Sequence, residues 1–379
     1  MRILQVCAVD FTAFHMLGGL LRGTRALGWG AEVVCADGEW AARLRAEGIR
    51  HRAVHMTRSA SPVALARATF ELARSLRADP PDLIHTHTPA GGLVGRAAAA
   101  AAFSGPVVHT FHGLPFEGEP RGVKERAFLI AERLVARRTT RFFSQARGDV
   151  ARADRLGIGD PARTLVIGNG VDIRRFAPDA SARARVRDAL GIPTGAIVIT
   201  VVSRLVREKG LLELAGAAML LAGDERVHFL VVGGTLPSDR TGIAAELDAH
   251  PVVDRLGPRW HRLGFRDDVA AILVASDVFT LPSYREGLPR SIIEAMATAL
   301  PVVATDIPAC AELVRHGETG ALVPVADATA LAGTLASFAA DAALRERLGR
   351  RAREIALAEH DEARIVRTQL EAFRKMLRP

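Results

Sequence analysis

The chain has 379 residues, 49% of them apolar and 24% charged, and a formal net charge of +8. It is too long for one hydrophobic core and too apolar for general disorder, so two domains of ordinary size are predicted. No apolar run approaches the ~18 residues a membrane span needs, and scarce aromatics without a basic-aromatic stacking pattern argue against nucleic acid as a partner.

Met1-Arg-Ile-Leu-Gln-Val-Cys7 is too short for a signal peptide and reads as a first strand. Further strands are predicted at residues 31–35, 83–86, 107–110, 141–144 and 164–167, then at 196–202, 227–232, 261–264, 278–281, 302–304 and 321–323. Ala-, Arg- and Leu-rich helical stretches separate them, which is the α/β pattern with parallel sheets. Residues 174–195, with Pro178 and Pro193 around a short Arg-rich helix, are the predicted hinge. The predicted domains are 1–173 and 174–360, two Rossmann-like halves facing a central cleft, with a last helix, 361–379, packing back on the first. Cys7, Cys35 and Cys310 are an odd, scattered set without metal spacing, so reduced thiols in the cytosol are expected.

The charge is uneven. Residues 1–175 hold 25 Lys and Arg against 16 Asp and Glu, and the remainder 25 against 26. A basic first half suits anionic lipid or a phosphorylated acceptor. The plainer account is codon usage, since only three of the 50 basic residues are Lys. Residues 121–141 read as an amphipathic helix with Val123, Ala127, Ile130 and Leu134 on one face and Arg126, Arg133 and Arg137 on another. Such a helix either docks on an anionic membrane or packs on its own sheet with a solvated basic face.

Four motifs carry chemistry. Glu286-Gly-Leu-Pro-Arg-Ser-Ile-Ile-Glu294 puts one carboxylate in a Gly/Pro loop and another on the helix behind it. Carboxylates accept strong, directional hydrogen bonds from paired hydroxyls, and the helix start between them suits an anion. Sugar hydroxyls flanking phosphate describe a nucleotide sugar. In Val202-Ser-Arg-Leu-Val-Arg-Glu-Lys-Gly210, Arg204 and Lys209 flank a loop that opens a helix, where two cations can converge on a diphosphate. The runs Ile84-His-Thr-His-Thr-Pro-Ala-Gly-Gly92 and Val107-Val-His-Thr-Phe-His-Gly113 deliver four histidines at strand ends. Alternation turns His85 and His87 to one face and His109 and His112 to opposite faces, and no cysteine or carboxylate joins them at zinc spacing, so no metal is predicted. The glycines do not form G-x-G-x-x-G, which argues against a nicotinamide oxidoreductase.

Taken in order, these motifs resemble the retaining glycosyltransferases of family 4, of GT-B fold. The resemblance also rests on Gly18-Gly19, Gly168-Asn-Gly-Val-Asp172, the Ala-Met-Ala after Glu294, Leu300-Pro-Val-Val-Ala-Thr-Asp306 and Gly317-Glu-Thr-Gly320. The branch resembled builds bacterial surface or lipid-linked saccharides.

The resemblance implies that Glu294 holds the nucleotide ribose and Glu286 the donor sugar. It implies that Arg204 and Lys209 bind the diphosphate with backbone N–H groups of Gly287 and Leu288, and that Phe265 packs the base. His112 would lie beside the transferred sugar. Gly18 and Gly19 would let the backbone approach donor and acceptor, His85 and His87 would lie on the acceptor side, and Asn169 near the hinge. One departure is visible: relatives often carry an acid after Val-Val-Gly, where this chain runs Gly233-Gly-Thr-Leu-Pro237.

The predicted reaction moves a hexose or N-acetylhexosamine, with retention, from a nucleoside-diphosphate donor such as a UDP-sugar to a saccharide or lipid-linked saccharide. It needs no cofactor and takes place in the cytoplasm or at the inner face of the membrane, with the domains closing over the donor. Rival readings are a small-molecule acceptor, a nucleotide-sugar epimerase or hydrolase, and a non-catalytic nucleotide-sugar sensor.

Overall fold

The computed structural model describes every residue except 57–60, 115–119, 121, 237–238, 240 and 378–379. The chain forms two compact units, one of Met1–Asn169 with Glu362–Pro379, the other of Gly170–Asp361.

The first unit is built on β1 (Arg2–Val6), β2 (Gly30–Cys35), β3 (Arg50–Ala53), β4 (Leu83–His87), β5 (Val107–Phe111), β6 (Arg141–Ser144) and β7 (Thr164–Val166). All pairings are parallel, in the order β3-β2-β1-β4-β5-β6-β7. Strands buried on both faces read as continuous apolar runs, which is why most of them are visible in the sequence. The exception is β3, whose Arg-His-Arg-Ala carries no apolar pattern. Its ionic pairing replaces one: Arg50 Nη1 donates to Glu32 Oε1 (3.1 Å) and Arg52 Nε to Glu32 Oε2 (3.0 Å). Glu32 is buried on β2, and a charged edge also discourages further strand pairing.

The last helix, Glu362–Leu377, contributes Ile365, Val366, Leu370 and Phe373 to a core that includes Ile3, Leu83, Val108 and Phe143. Its close approach requires glycine opposite it. A Cβ on Gly19 would lie 2.3 Å from the Glu362 carboxyl carbon, and one on Gly23 2.4 Å from a Val366 methyl. Both glycines sit inside the helix Asp10–Ala26. Gly18-Gly19, expected to let the backbone approach donor and acceptor, lies in the middle of that helix.

The second unit contains β8 (Ile197–Val202), β9 (Val227–Val232), β10 (Trp260–Gly264), β11 (Val278–Leu281), β12 (Val302–Thr305) and β13 (Gly320–Val323), all parallel, in the order β10-β9-β8-β11-β12-β13. The segment 174–195 belongs to this unit and is not the link between the two; they part at Asn169/Gly170 and again at Asp361/Glu362. Its helix, Ala180–Ala189, is locked down by charge. Asp277 accepts from Arg183 Nη2 and Arg187 Nη2, both at 2.6 Å, and from the Val198 N–H at 2.7 Å. Asn169, buried, is the last residue of the first unit's main segment.

Candidate active site

Ligands of open parallel sheets gather outside the carboxyl ends of the strands, where strand order reverses. In the second unit that point lies between β8 and β11. The loop after β8 carries Arg204 and Lys209, and the loop after β11 carries Glu286. Gly210 brings them together: its φ is +65°, and a Cβ there would sit 1.9 Å from the Pro282 carbonyl oxygen. The Tyr284 N–H donates to the Glu208 carbonyl (2.9 Å), closing the same contact.

Lys209 Nζ donates to Glu286 Oε1 at 2.6 Å, and that oxygen also accepts from Ser283 Oγ at 2.7 Å. The two side chains are 17% and 9% exposed, so the pair is largely desolvated but reachable. The helix Arg290–Ala297 begins after Pro289 without a side-chain cap. Glu286 therefore serves Lys209, not the helix end, and Glu294 projects half-buried from the helix itself. Leu288 is buried and Gly287 half-buried between them.

Arg204 is paired as well, with Asp239, whose other oxygen accepts from the Leu236 N–H at 2.8 Å. Asp239 was not anticipated. The sequence lacks an acid directly after Val-Val-Gly, but the longer loop delivers one a few residues later; its only sequence signal was that displaced acid. Phe265 follows β10, is 55% exposed, and lies against Gly234, where a Cβ would come within 2.7 Å of its ring.

In the first unit the reversal lies between β1 and β4. Thr88, directly after β4, has φ +61°, a conformation that costs a non-glycine residue about 1–3 kcal/mol and is found at sites that over-determine it. His87 Nδ1 is 2.9 Å from His112 Nε2, and His87 Nε2 is 2.8 Å from Gln5 Oε1. His85 Nε2 meets Thr110 Oγ1 at 2.6 Å, and His109 Nδ1 meets Thr86 Oγ1 at 2.9 Å. His85 and His87, expected on the acceptor side, are buried, and His87 reaches His112, which is half-buried. A small pocket beside His112 is lined by Thr88, Pro89, His109 and Glu132, the last paired at 2.6 Å with the fully buried Arg96. Among the described residues no group of His, Cys, Asp or Glu is arranged to hold a metal ion.

Burial, reinforced by neighbouring cations and imidazoles, holds His85, His87 and His109 well below the usual histidine range. Burial beside His261 likewise brings His228 down to about 4. The unfolded chain protonates these rings near 6.5 while the folded one resists. Their stabilising effect is therefore complete above about pH 6.5 and is lost as pH falls towards the folded values. Urea midpoints should drop steadily between pH 6.5 and 4.5; a midpoint constant over that range would contradict the buried neutral histidines.

Comparison with known proteins gives the family. Residues 15–170 match the family model "Glycosyl transferase 4-like domain", and residues 196–341 match "Glycosyl transferases group 1". The chain is 33% identical over 266 residues to the Escherichia coli UDP-Gal:alpha-D-GlcNAc-diphosphoundecaprenol alpha-1,3-galactosyltransferase, covering 69% of this chain and 67% of that one. The chain belongs to the family 4, or group 1, glycosyltransferases.

Another member of the family, the alpha-maltose-1-phosphate synthase of Mycobacterium tuberculosis, is 30% identical over 83% of this chain and 84% of its own. Among solved structures, Anabaena HepE in complex with UDP and glucose superposes with a TM-score of 0.82 at 25% identity, covering 98% of this chain and 99% of that one. The two parallel sheets are those of the GT-B fold, and the glycosyltransferase has its Lys209–Glu286 pair where the strand order of its second sheet reverses.

Proposed function

We propose that the chain moves a hexose or N-acetylhexosamine, with retention, from a UDP-sugar to a saccharide carried on a lipid. The observation that carries this reading is the Lys209–Glu286–Ser283 cluster at one sheet's switch point, on a loop that also carries Arg204. Lys209 and Arg204 neutralise the diphosphate, assisted by the N–H groups of Gly287 and Leu288. Glu286 receives hydroxyls of the sugar, Glu294 those of the ribose, and Phe265 borders the base. His112 lies beside the transferred sugar. The departing diphosphate oxygen itself takes the acceptor's proton on the face where it leaves, so no carboxylate nucleophile is required, and electrostatic stabilisation of the leaving group supplies most of the rate. An isolated glycosyl-enzyme adduct would replace this route with double displacement. A lipid-linked acceptor is supported by the activity of the E. coli relative, and a UDP-sugar donor by that relative and by HepE. A small-molecule acceptor is the second reading, favoured by the M. tuberculosis relative, which is named for a small sugar phosphate as its product.

The deciding experiment is nucleoside diphosphate release from a panel of nucleotide sugars, without acceptor and with chelator present. Slow release of UDP from one donor, abolished in Glu294→Ala, is the expected result. Release only on adding a divalent ion would remove the metal-independent mechanism, and no nucleotide affinity at all would remove the donor site.

A surface feature supports a membrane-borne acceptor. The helix at residues 121–141 was expected to bury its apolar stripe if it packed on the sheet. The observed helix, Val123–Ala136, instead buries Leu129, Glu132 and Ala136, while Val123, Ile130 and Leu134 are 86%, 58% and 58% exposed; Arg121 lies outside the described residues. Lys124, Arg126, Arg133 and Arg137 share the exposed side. An outward apolar stripe among cations matches the interface of an anionic bilayer, and we infer that the enzyme works at the cytoplasmic face of one. No helix among the described residues is long and apolar enough to cross it. Co-sedimentation with phosphatidylglycerol vesicles at low salt should be strong, and at least tenfold weaker in the Val123→Ser/Ile130→Ser/Leu134→Ser variant. Absence of binding by the unaltered protein would remove the membrane from this reading.

A further inference from the structure

The half-buried His112 is the outer member of a chain of three polar side chains. Gln5, near the middle of β1, and His87, the last residue of β4, are each 1% exposed. Neither would be chosen for packing alone, since a buried amide or imidazole is costly unless its hydrogen bonds are made. The bonds between them have direction. A neutral imidazole carries one N–H and one lone pair, and the partner of one nitrogen decides the role of the other. Burial keeps His87 neutral. Gln5 Oε1 can only accept, so the proton of His87 sits on Nε2, 2.8 Å away. His87 Nδ1 is then a lone pair, and its 2.9 Å contact with His112 Nε2 requires the proton to come from His112.

We propose that Gln5 is a positioning residue which, through His87, holds His112 as the Nε2–H tautomer and so makes His112 Nδ1 a hydrogen-bond acceptor towards the transferred sugar. The proposal rests on the reading of His112 as the residue beside that sugar. Its chemical sense follows from the charge that develops. A departing diphosphate leaves a sugar ring with positive character, towards which a ring lone pair is favourable and an N–H dipole is not. A hydroxyl of the sugar can donate to the same lone pair. Turning the Gln5 amide over would reverse every donor and acceptor in the chain and place the His112 proton on Nδ1, so the orientation is what must be measured. Gln5 was not singled out in the sequence. A lone Gln in Arg-Ile-Leu-Gln-Val signals nothing until the register sets it beside His85 across β1 and β4.

The test reads tautomers directly, in the whole protein labelled with 15N-histidine, by two-bond proton–nitrogen correlation. In the unaltered, ligand-free protein, His87 and His112 should both show the Nε2–H pattern. Gln5→Met, similar in shape but without an acceptor at that point, should blur both patterns into mixtures. It should also slow UDP release at least tenfold, measured with UDP-galactose or UDP-glucose, whichever is turned over, with little change in KM. His87→Asn places an amide oxygen where Nδ1 stands. It should keep His112 in the Nε2–H form, and adding Gln5→Met to it should alter that pattern no further. An Nδ1–H pattern on His112 in the unaltered protein would overturn the relay whatever the activity. Unchanged patterns and unchanged kcat in Gln5→Met would overturn the role of Gln5. If the patterns are as expected while His112→Ala turns over at the wild-type rate, the reading of His112 fails, and its bearing on the reaction fails with it.

Discussion

Replacing Lys209 by Ala should slow sugar transfer roughly a hundredfold to a thousandfold, the scale of losing one donor to a developing oxyanion. The loss should fall on kcat, because the charge on the diphosphate oxygen grows as the glycosidic bond breaks. In the folded chain Lys209 is tethered to Glu286 at 2.6 Å, so the cation is oriented before any substrate arrives. The same tether makes the variant informative in a second way. With the lysine gone, Glu286 keeps Ser283 as a partner but faces the diphosphate as an uncompensated anion, and donor KM should rise too. Glu286→Gln supplies the contrast: the cation remains, and the loss should fall mainly on discrimination between donor sugars. Arg204→Ala should behave like Lys209→Ala in kcat, since Arg204, held by Asp239, is the second cation assigned to the diphosphate. Initial rates across donor concentrations check all three, and near-wild-type turnover in both cation variants would discard the diphosphate assignment.

The largest expected effect on stability lies elsewhere. Arg96 is fully buried and Glu132 nearly so, joined at 2.6 Å. Removing one partner strands the other charge, and Glu132→Ala should cost about 3–5 kcal/mol in urea unfolding. Arg96 Nε also donates to the Gly92 carbonyl at 2.9 Å, which anchors the start of the helix Pro89–Ala102 near the His112 pocket. Each partner already has one unsatisfied atom, Arg96 Nη1 and Glu132 Oε1, so the pair is far from an ideal substitute for apolar packing. The double variant Arg96→Met/Glu132→Leu should therefore regain most of the loss, ending within about 1–2 kcal/mol of the parent. If the single variant unfolded at the parent's urea midpoint, Arg96 would have to find water, and its burial would be wrong.

Runs such as Ile-Val-Ile-Thr-Val-Val in β8 announce themselves because a parallel strand covered on both faces must be apolar throughout. The motif residues were equally legible, since Lys209 and Glu286 stand at fixed offsets from those strands. What was hidden depended on contacts between distant segments. The edge strand β3 is held by Arg50 and Arg52 on Glu32, and nothing in Arg-His-Arg-Ala marks it as a strand. Glycine disfavours helices, so nothing in the sequence set Gly19 and Gly23 inside one, where the helix Glu362–Leu377 packs closely against both. The helix Val123–Ala136 has two apolar stripes, and periodicity alone could not say that Leu129 and Ala136, not Val123 and Ile130, face inward. Residues 174–195 carried the prolines of a linker, but Arg183 and Arg187 fasten that segment to Asp277. Asp239 lay outside the sequence reading because only the folded loop brings it to Arg204.

The helix Glu362–Leu377 completes the first unit from the far end of the chain, with Phe373 wholly enclosed beside Ile3 and Leu83. On the ribosome this orders events. The second unit is one continuous stretch, Gly170–Asp361, and can close as soon as that stretch has emerged. The first unit, although synthesised first, must wait with a bare apolar seam until residues 362–377 have emerged. A nascent chain stalled before residue 362 thus holds a finished second unit and an unfinished first one. A chaperone would meet that exposed seam before the enzyme ever meets its acceptor.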